Sequence, residues 1–148
     1  MNLFRRPLWA ASTVEDALDV SQRNLAAMID NDDLSWAWDF STGRTRKEVR
    51  ILAHCVVEKA MGPLKEIGAT RNLKLPEVVN LILPQKRETL RGAELQRLFH
   101  ASANLIRDLS TAGEIKRVSE KLPSVGPNAS PRFTRQSLVR LLEKRRFA

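Results

Sequence analysis

The sequence predicts a mainly α-helical chain with short β-hairpins, arranged as two similar units one after the other. Three observations lead to this fold class. Apolar residues recur at helical spacing behind serines that suit helix N-termini. A stretch of alternating aromatic residues, from Trp36 to Phe40, has the period of a β-strand. The same order of features occurs in residues 12–60 and again in residues 90–148.

The first unit begins with two short helices. Ser12 and Glu15 have the spacing of a capping box, which predicts a helix over residues 13–18. Ser21 suits the N-cap of a second helix over residues 22–31, which the polar run after Asp30 ends.

A β-hairpin is expected after the second helix. Residues 36–40 and 48–52 alternate in polarity as strands do, and residues 41–45 between them have the composition of a turn. Trp36, Trp38 and Phe40 fall on one face of the first strand. We therefore expect Trp36 and Trp38 to pack together, in preference to stacking on the bases of a nucleic acid.

The second unit repeats this order after a connector. The connector contains a short apolar helix that begins near Pro76. Ser102 suits the N-cap of the second helix of this unit, and Thr134 that of the last. Helices are expected over residues 93–99, 103–111 and 135–145. The predicted division is a first unit at 1–66, the connector at 67–89 and a second unit at 90–148.

The two units can be aligned without gaps when Ser21 is placed on Ser102, 81 residues later. Only this serine is identical, so the repeat consists of matching apolar positions rather than matching residues. The aligned apolar pairs are Val14 with Leu95, Leu18 with Phe99, Leu25 with Ile106, Met28 with Leu109, and Leu34 with Ile115.

The positive charge of the chain is concentrated in its second part. Residues 1–60 contain 8 Lys and Arg against 9 Asp and Glu, whereas residues 61–148 contain 17 against 8. This asymmetry favours a polyanionic partner such as a nucleic acid for the second part. The alternative is an ordinary solvated basic surface.

Several classes of protein are not indicated. No apolar run approaches the roughly 20 residues that cross a membrane, and no signal peptide is recognisable, so we expect a cytoplasmic protein. One cysteine and two histidines do not suggest a disulfide or a zinc site. His54 and Cys55 point in different directions on a helix, which makes Cys55 a small buried residue rather than half of a catalytic pair. We expect neither an enzyme nor a cofactor.

Each unit resembles the winged helix-turn-helix of the MerR-like and phage-excisionase superfamily. The second unit is the closer match, from Ala93 through Ser102 and Gly113 to the stretch Arg132–Glu143. The resemblance implies two tandem winged helix-turn-helix units, each with a Ser-capped helix in the major groove and a β-hairpin wing on the DNA backbone or minor groove. The first unit departs from the pattern by having Asp32 where the superfamily has glycine.

The resemblance implies double-stranded DNA as the partner, with a further copy of the chain, a recombinase or a transcription protein left open. It implies a transcriptional regulator, or an excisionase-like architectural factor in recombination, associated with the nucleoid. Asn104 is expected to pair with adenine and Arg107 with guanine. The expected contacts in the helices are Ser102, Ala103, Asn104 and Arg107, with Gln22, Arg23, Ala26 and Ala27 at the matching places of the first unit. The expected phosphate contacts around the wings are Arg44, Arg46, Lys47, Arg50, Lys116, Arg117, Lys121, Arg132 and Arg135.

The residues also allow a second function, in protein interaction. Asp30, Asp32 and Asp33 at the end of the second helix would repel phosphate groups. One or both units would then be a protein-interaction or adaptor module in a phage, plasmid or conjugative-element assembly.

Overall fold

The computed structural model of the chain describes residues 5–42, 47–118 and 131–147. These residues form seven α-helices and two small antiparallel sheets, which confirms the α-rich part of the predicted fold class. None of the helices in the described ranges is long and apolar enough to cross a membrane.

Residues 7–61, which we call the first segment, alternate short strands with short helices. Strand β3 leads into helix α3 without a loop. The elements are β1 (Leu8–Ala10), α1 (Ala11–Leu18), α2 (Gln22–Asp30), β2 (Ala37–Asp39), β3 (Val49–Leu52) and α3 (Ala53–Met61).

A connector and a second segment follow. The connector, residues 62–87, contains a 3₁₀ turn (Thr70–Asn72) and helix α4 (Leu75–Ile82), with Pro76 in the first turn of α4 as predicted. We call residues 88–147 the second segment. Its elements are β4 (Thr89–Arg91), α5 (Gly92–Leu98), α6 (Ala103–Thr111), β5 (Arg132–Thr134) and α7 (Arg135–Lys144).

The offset of 81 residues that aligns the apolar positions also aligns the helix termini. The Ser21 hydroxyl accepts a hydrogen bond from the Asn24 amide at 3.1 Å, and the Ser102 hydroxyl accepts one from the Leu105 amide at 3.1 Å. Both serines are therefore N-caps, as predicted. Left-handed backbone also occurs in matched pairs: Asp19 and His100 have φ of 53° and 49°, and Asp32 and Gly113 have φ of 62° and 78°.

The two sheets pair in the same way. In the first, β3 lies between β1 and β2, so Ile51 is opposite both Trp9 and Ala37. In the second, β5 pairs with β4, and an isolated bridge joins Phe133 to Arg117 on its other side. Both segments thus have the order strand, helix, helix, edge strand, central strand, helix, in which the bridge at Arg117 takes the place of β2 in the second segment.

The second segment packs against one face of the first sheet. Trp38 and Arg50 are cross-strand partners, so their side chains point to this same face. Trp38 Nε1 donates to the Leu142 carbonyl at 2.7 Å. Arg50 Nε donates to the carbonyls of Phe99 and His100 at 2.9 and 3.0 Å. One cluster of buried side chains runs through both segments.

The C-terminal residues extend the first sheet beyond β2. The Asp39 amide donates to the Arg145 carbonyl at 3.1 Å, and the Phe147 amide donates to the Ala37 carbonyl at 3.0 Å. Arg146 lies between them with its guanidinium carbon 3.4 Å from the centre of the Trp36 ring. The edge of β2 is therefore covered by the chain itself.

The predicted helices and strands are confirmed to within two residues at each end. Trp36, Trp38, Phe40 and Cys55 are buried, as expected. The capping box is wrong, because α1 begins directly after β1, its N-cap is Ala10, and Ser12 lies inside the helix. Strands β1 and β4 were not predicted, since three residues are too few to show a period of two.

Candidate nucleic-acid interface

Helix α6 exposes the two residues that were expected to read bases. Leu105 and Ile106 are buried in the core, which leaves Asn104 and Arg107 on the exposed side. Arg107 Nη2 donates to Asn104 Oδ1 at 2.6 Å, as residues three apart on a helix can. The guanidinium has further donors and the amide keeps its NH₂ group, so the pair can approach a base edge as one unit.

A groove of about 580 Å³ lies beside the C-terminal part of α6. Ser110, three residues after Arg107, lines this groove, and Arg107 lies one turn before it on the same helix, outside the lining. Three exposed cations, Lys116, Arg117 and Arg140, also line it. We call this the basic groove. Its cations are suited to phosphate groups.

Hydrogen bonds from α7 and β5 fix the backbone beneath these cations. The Lys116 amide donates to the Ser137 hydroxyl at 2.9 Å, and the Thr134 amide donates to the Lys116 carbonyl at 3.0 Å. Ser137 is itself buried at the first turn of α7. Lys116 therefore projects from a fixed backbone position.

Glu114 is a carboxylate in the lining of the basic groove, and cations within the chain neutralise it. Lys144 Nζ donates to Glu114 Oε1 at 3.3 Å, and Arg145 Nη2 donates to the same oxygen. Burial raises the pKa of Glu114, but hydrogen bonds and charge from Arg145 and Lys144 outweigh it and hold that pKa below its usual value. The carboxylate is thus paired instead of facing a phosphate.

Arg132 and Arg135 are both partly exposed. Arg132 lies opposite Arg91 in the pairing of β4 with β5, so the two side chains share one face of the sheet. Arg135 Nη2 donates to Asn80 Oδ1 of α4 at 3.3 Å, while its Nε is buried without a hydrogen-bond partner. Arg135 is therefore held by the connector.

In the first segment, the matching positions on α2 are exposed and carry one cation, as those on α6 do. Gln22, Arg23, Ala26 and Ala27 all face solvent. Arg23 supplies the one cation of this set, and the exposed Asp30 ends the helix. The set is as accessible as that of α6, and the difference between the two helices is the group of cations in the basic groove beside α6.

The structure places Ser102 outside the basic groove. A larger groove of about 960 Å³ runs between α2 and the second segment, and Ser102 and Lys47 both line it. Three carboxylates, Glu15, Asp30 and Glu48, line this larger groove as well. Ala103, the next residue, is exposed. Ser102 is the N-cap of α6 and lines this larger groove instead of the basic groove.

Arg50 was wrongly expected to contact phosphate, because the second segment covers its face of the sheet. Its side chain is 7% exposed and donates to Glu48 Oε2 at 3.1 Å as well as to the two carbonyls of the second segment. Burial lowers the pKa of Arg50, although Glu48 opposes that shift. Lys47 remains exposed, and Arg44, Arg46 and Lys121 lie outside the described residues.

Gln136 and Arg140 of α7 line the basic groove and were not singled out from the sequence. Both are exposed and lie four residues apart, so they are neighbours on one helix face. The buried residues Leu138, Leu141 and Leu142 occupy the other side. That alternation was the signal that could have identified them.

Within the described ranges, no group of three or more His, Cys, Asp and Glu side chains is arranged to hold a metal ion. No family model matches the chain, and neither the curated proteins nor the solved structures give a significant match.

Proposed function

We propose that the chain is a sequence-specific DNA-binding protein made of two tandem winged helix-turn-helix units, and that the second unit reads the DNA. The observation that carries this proposal is the exposed Asn104–Arg107 pair on the Ser-capped helix α6, beside the basic groove. Asparagine suits adenine and arginine suits guanine in the major groove.

The order of elements supports the same function. Helix α6 is the second of two helices joined by a tight turn, and in helix-turn-helix proteins that helix enters the major groove. Lys116, Arg117 and Arg140 then contact the phosphate backbone and set the orientation of the helix. The protein would act without covalent chemistry, as a transcriptional regulator or as an excisionase-like architectural factor, on the nucleoid in the cytoplasm.

Salt dependence of binding tests the proposal. The ligand is a set of duplexes selected from genomic fragments by the full chain. Each phosphate contact contributes about 0.9 to the slope of log affinity against log salt. Lys116→Ala should therefore flatten the slope by about one unit, whereas Lys59→Ala, on the exposed side of α3, should leave it unchanged. Failure of the chain to bind any duplex would overturn the proposal.

One observation favours the adaptor function as a second candidate. The larger groove beside α2 is lined by Glu15, Asp30 and Glu48 against Lys47 and Arg50, and Glu48 is paired with Arg50. Glu15 and Asp30 would be its contacts to a basic protein segment. If this is the function, the chain should capture a partner protein whose binding is lost in Asp30→Lys, and no duplex should bind above the nonspecific level.

A further inference from the structure

The contact between the two segments uses a different surface on each side. The first segment contributes the face of its sheet that carries Arg50, and the second contributes the turn between α5 and α6 together with Leu142 of α7. Arg50 Nε donates to the carbonyls of Phe99 and His100 in that turn. The Ala10 amide donates to His100 Nδ1 at 3.0 Å. Burial and the charges of Arg6 and Arg50 lower the pKa of His100, which suits an imidazole that accepts a hydrogen bond.

Each segment also has an equivalent of the surface that the other segment contributes to this contact. Arg132 occupies the place of Arg50, because each is opposite the last residue of the first strand of its sheet. Arg50 is buried, but Arg132 remains partly exposed. The turn between α1 and α2 matches the turn between α5 and α6, since Asp19 has the left-handed backbone of His100. Asp19 is exposed.

Among the described residues, both surfaces keep exposed or partly exposed side chains, and their charges are opposite. The turn of the first segment exposes Asp16 and Asp19 at the carboxyl end of α1, where the helix dipole is also negative. The sheet face of the second segment carries Arg132 and Arg91 side by side, and the exposed Lys116 lies on the stretch of backbone that pairs with the other side of β5. Opposite charge favours this pairing over contact between like surfaces.

We propose that copies of the chain associate head to tail, with the α1–α2 turn of one copy on the β4–β5 sheet face of the next. Between molecules, this contact repeats the part of the internal contact in which Arg50 binds the turn between α5 and α6. Arg132 donates to the carbonyls of Leu18 and Asp19 of the next copy, and the Asp19 carboxylate faces the two arginines. Such a contact joins unlike surfaces, so it adds copies in a row. It goes beyond DNA binding and does not depend on it.

Sedimentation velocity of the full chain, without DNA, tests this association. The mean mass of the wild type should rise with concentration and fall with added salt. Arg132→Asp and Asp19→Arg should each weaken self-association at least about tenfold. A 1:1 mixture of the two variants should associate, because each supplies the surface that the other lacks. Lys59→Asp, an equal charge reversal on α3, should associate like the wild type.

Circular dichroism establishes that each variant is folded. Arg132→Gln and Asp19→Asn, which remove a charge without reversing it, should weaken self-association less than the reversals do. A wild type that remains monomeric at all concentrations would overturn the proposal, as would a mixture of the two reversed variants that stays monomeric. If Arg132→Asp weakens DNA binding while the wild type is monomeric, the face contacts DNA and the proposal is wrong. Because DNA is absent from the sedimentation experiment, its outcome is separate from that of the proposed function.

Discussion

The first and second segments share a backbone pattern, but matching places on them are covered in one and open in the other. In the first segment the connector fills the place of the basic groove: Trp36 Nε1 donates to the Thr70 carbonyl at 2.7 Å, and the Thr70 amide donates to Glu58 Oε2 at 2.9 Å. Lys116 and Arg140 stand at the places of Trp36 and Glu58.

The face of each sheet shows the same difference. Trp38 and Arg50 of the first sheet are buried by the second segment, whereas Val118 and Arg132 at the corresponding places remain partly exposed. Trp36 and Trp38 lie where the chain covers itself, whereas Lys116, at the place of Trp36, is exposed. An arginine stands at both places in the central strand, buried as Arg50 and partly exposed as Arg132. The first sheet face is therefore used for packing within the chain, whereas the corresponding face of the second segment stays partly exposed.

The largest expected difference is between two arginines at the same place in their sheets. Arg50→Ala removes hydrogen bonds from a buried cation to two carbonyls and should lower the free energy of unfolding by about 3 kcal/mol. Arg132→Ala, on a partly exposed face, should change it by no more than about 0.5 kcal/mol. Urea unfolding measures both values. Equal losses would contradict the assignment of the two faces.

A smaller effect is expected where the second helix of each segment ends. Gly113 has a φ of 78°, and a Cβ at this position would meet no atom within 4 Å, so Gly113→Ala should cost about 1–2 kcal/mol through backbone strain alone. Asp32 has a φ of 62°, and Asp32→Gly should stabilise the fold slightly by relieving strain of the same kind. Thermal unfolding tests the pair. Destabilisation by Asp32→Gly would show that the aspartate side chain has a role of its own.

The N-caps should give effects of equal size. Ser21→Ala and Ser102→Ala each remove one hydrogen bond of 3.1 Å to an amide at the start of a helix. Each should cost about 1 kcal/mol in urea unfolding. A loss from one serine alone would break the equivalence of α2 and α6.

The smallest effect concerns pH. The pKa of the buried His54 is lowered from 6.5 by burial alone, and that of His100 from 6.5 by burial first and then by Arg6 and Arg50. A lowered pKa means that, as the pH falls, the histidines are protonated in the unfolded chain before they are in the folded one. The free energy of unfolding should therefore have its full value above pH 6.5 and fall below it. His100→Gln should reduce this slope in urea unfolding at a series of pH values. An unchanged slope would place the dependence on His54.

Much of this fold could be predicted from the sequence because its determinants are local. Ser21, Ser102 and the alternation from Trp36 to Phe40 act within a few residues of their own positions. The exposed Asn104–Arg107 pair was predictable for the same reason, since helical spacing and a cap determine which side of α6 faces solvent.

What could not be predicted depends on contacts between distant residues. Arg50 lies in the second predicted strand of the first wing and Arg132 follows the second wing, and both look like solvated cations in the sequence. Arg50 is buried and Arg132 is not, because Phe99 and His100, far along the chain, pack onto Arg50. Ser12 failed as a cap because β1 pairs with β3, and three residues of β1 give no periodic signal.

The most direct test of DNA reading by the second segment is the affinity of Arg107→Ala, Asn104→Ala and Arg23→Ala for a selected duplex and a scrambled one at two salt concentrations. Loss of a base contact at Arg107 or Asn104 should cost about 1–3 kcal/mol, up to roughly a hundredfold, on the selected duplex alone. Arg23→Ala should keep most of the specific binding. Equal loss from Arg23→Ala and Arg107→Ala would mean that both segments read DNA. No loss from any of the three would contradict DNA reading and favour the adaptor function.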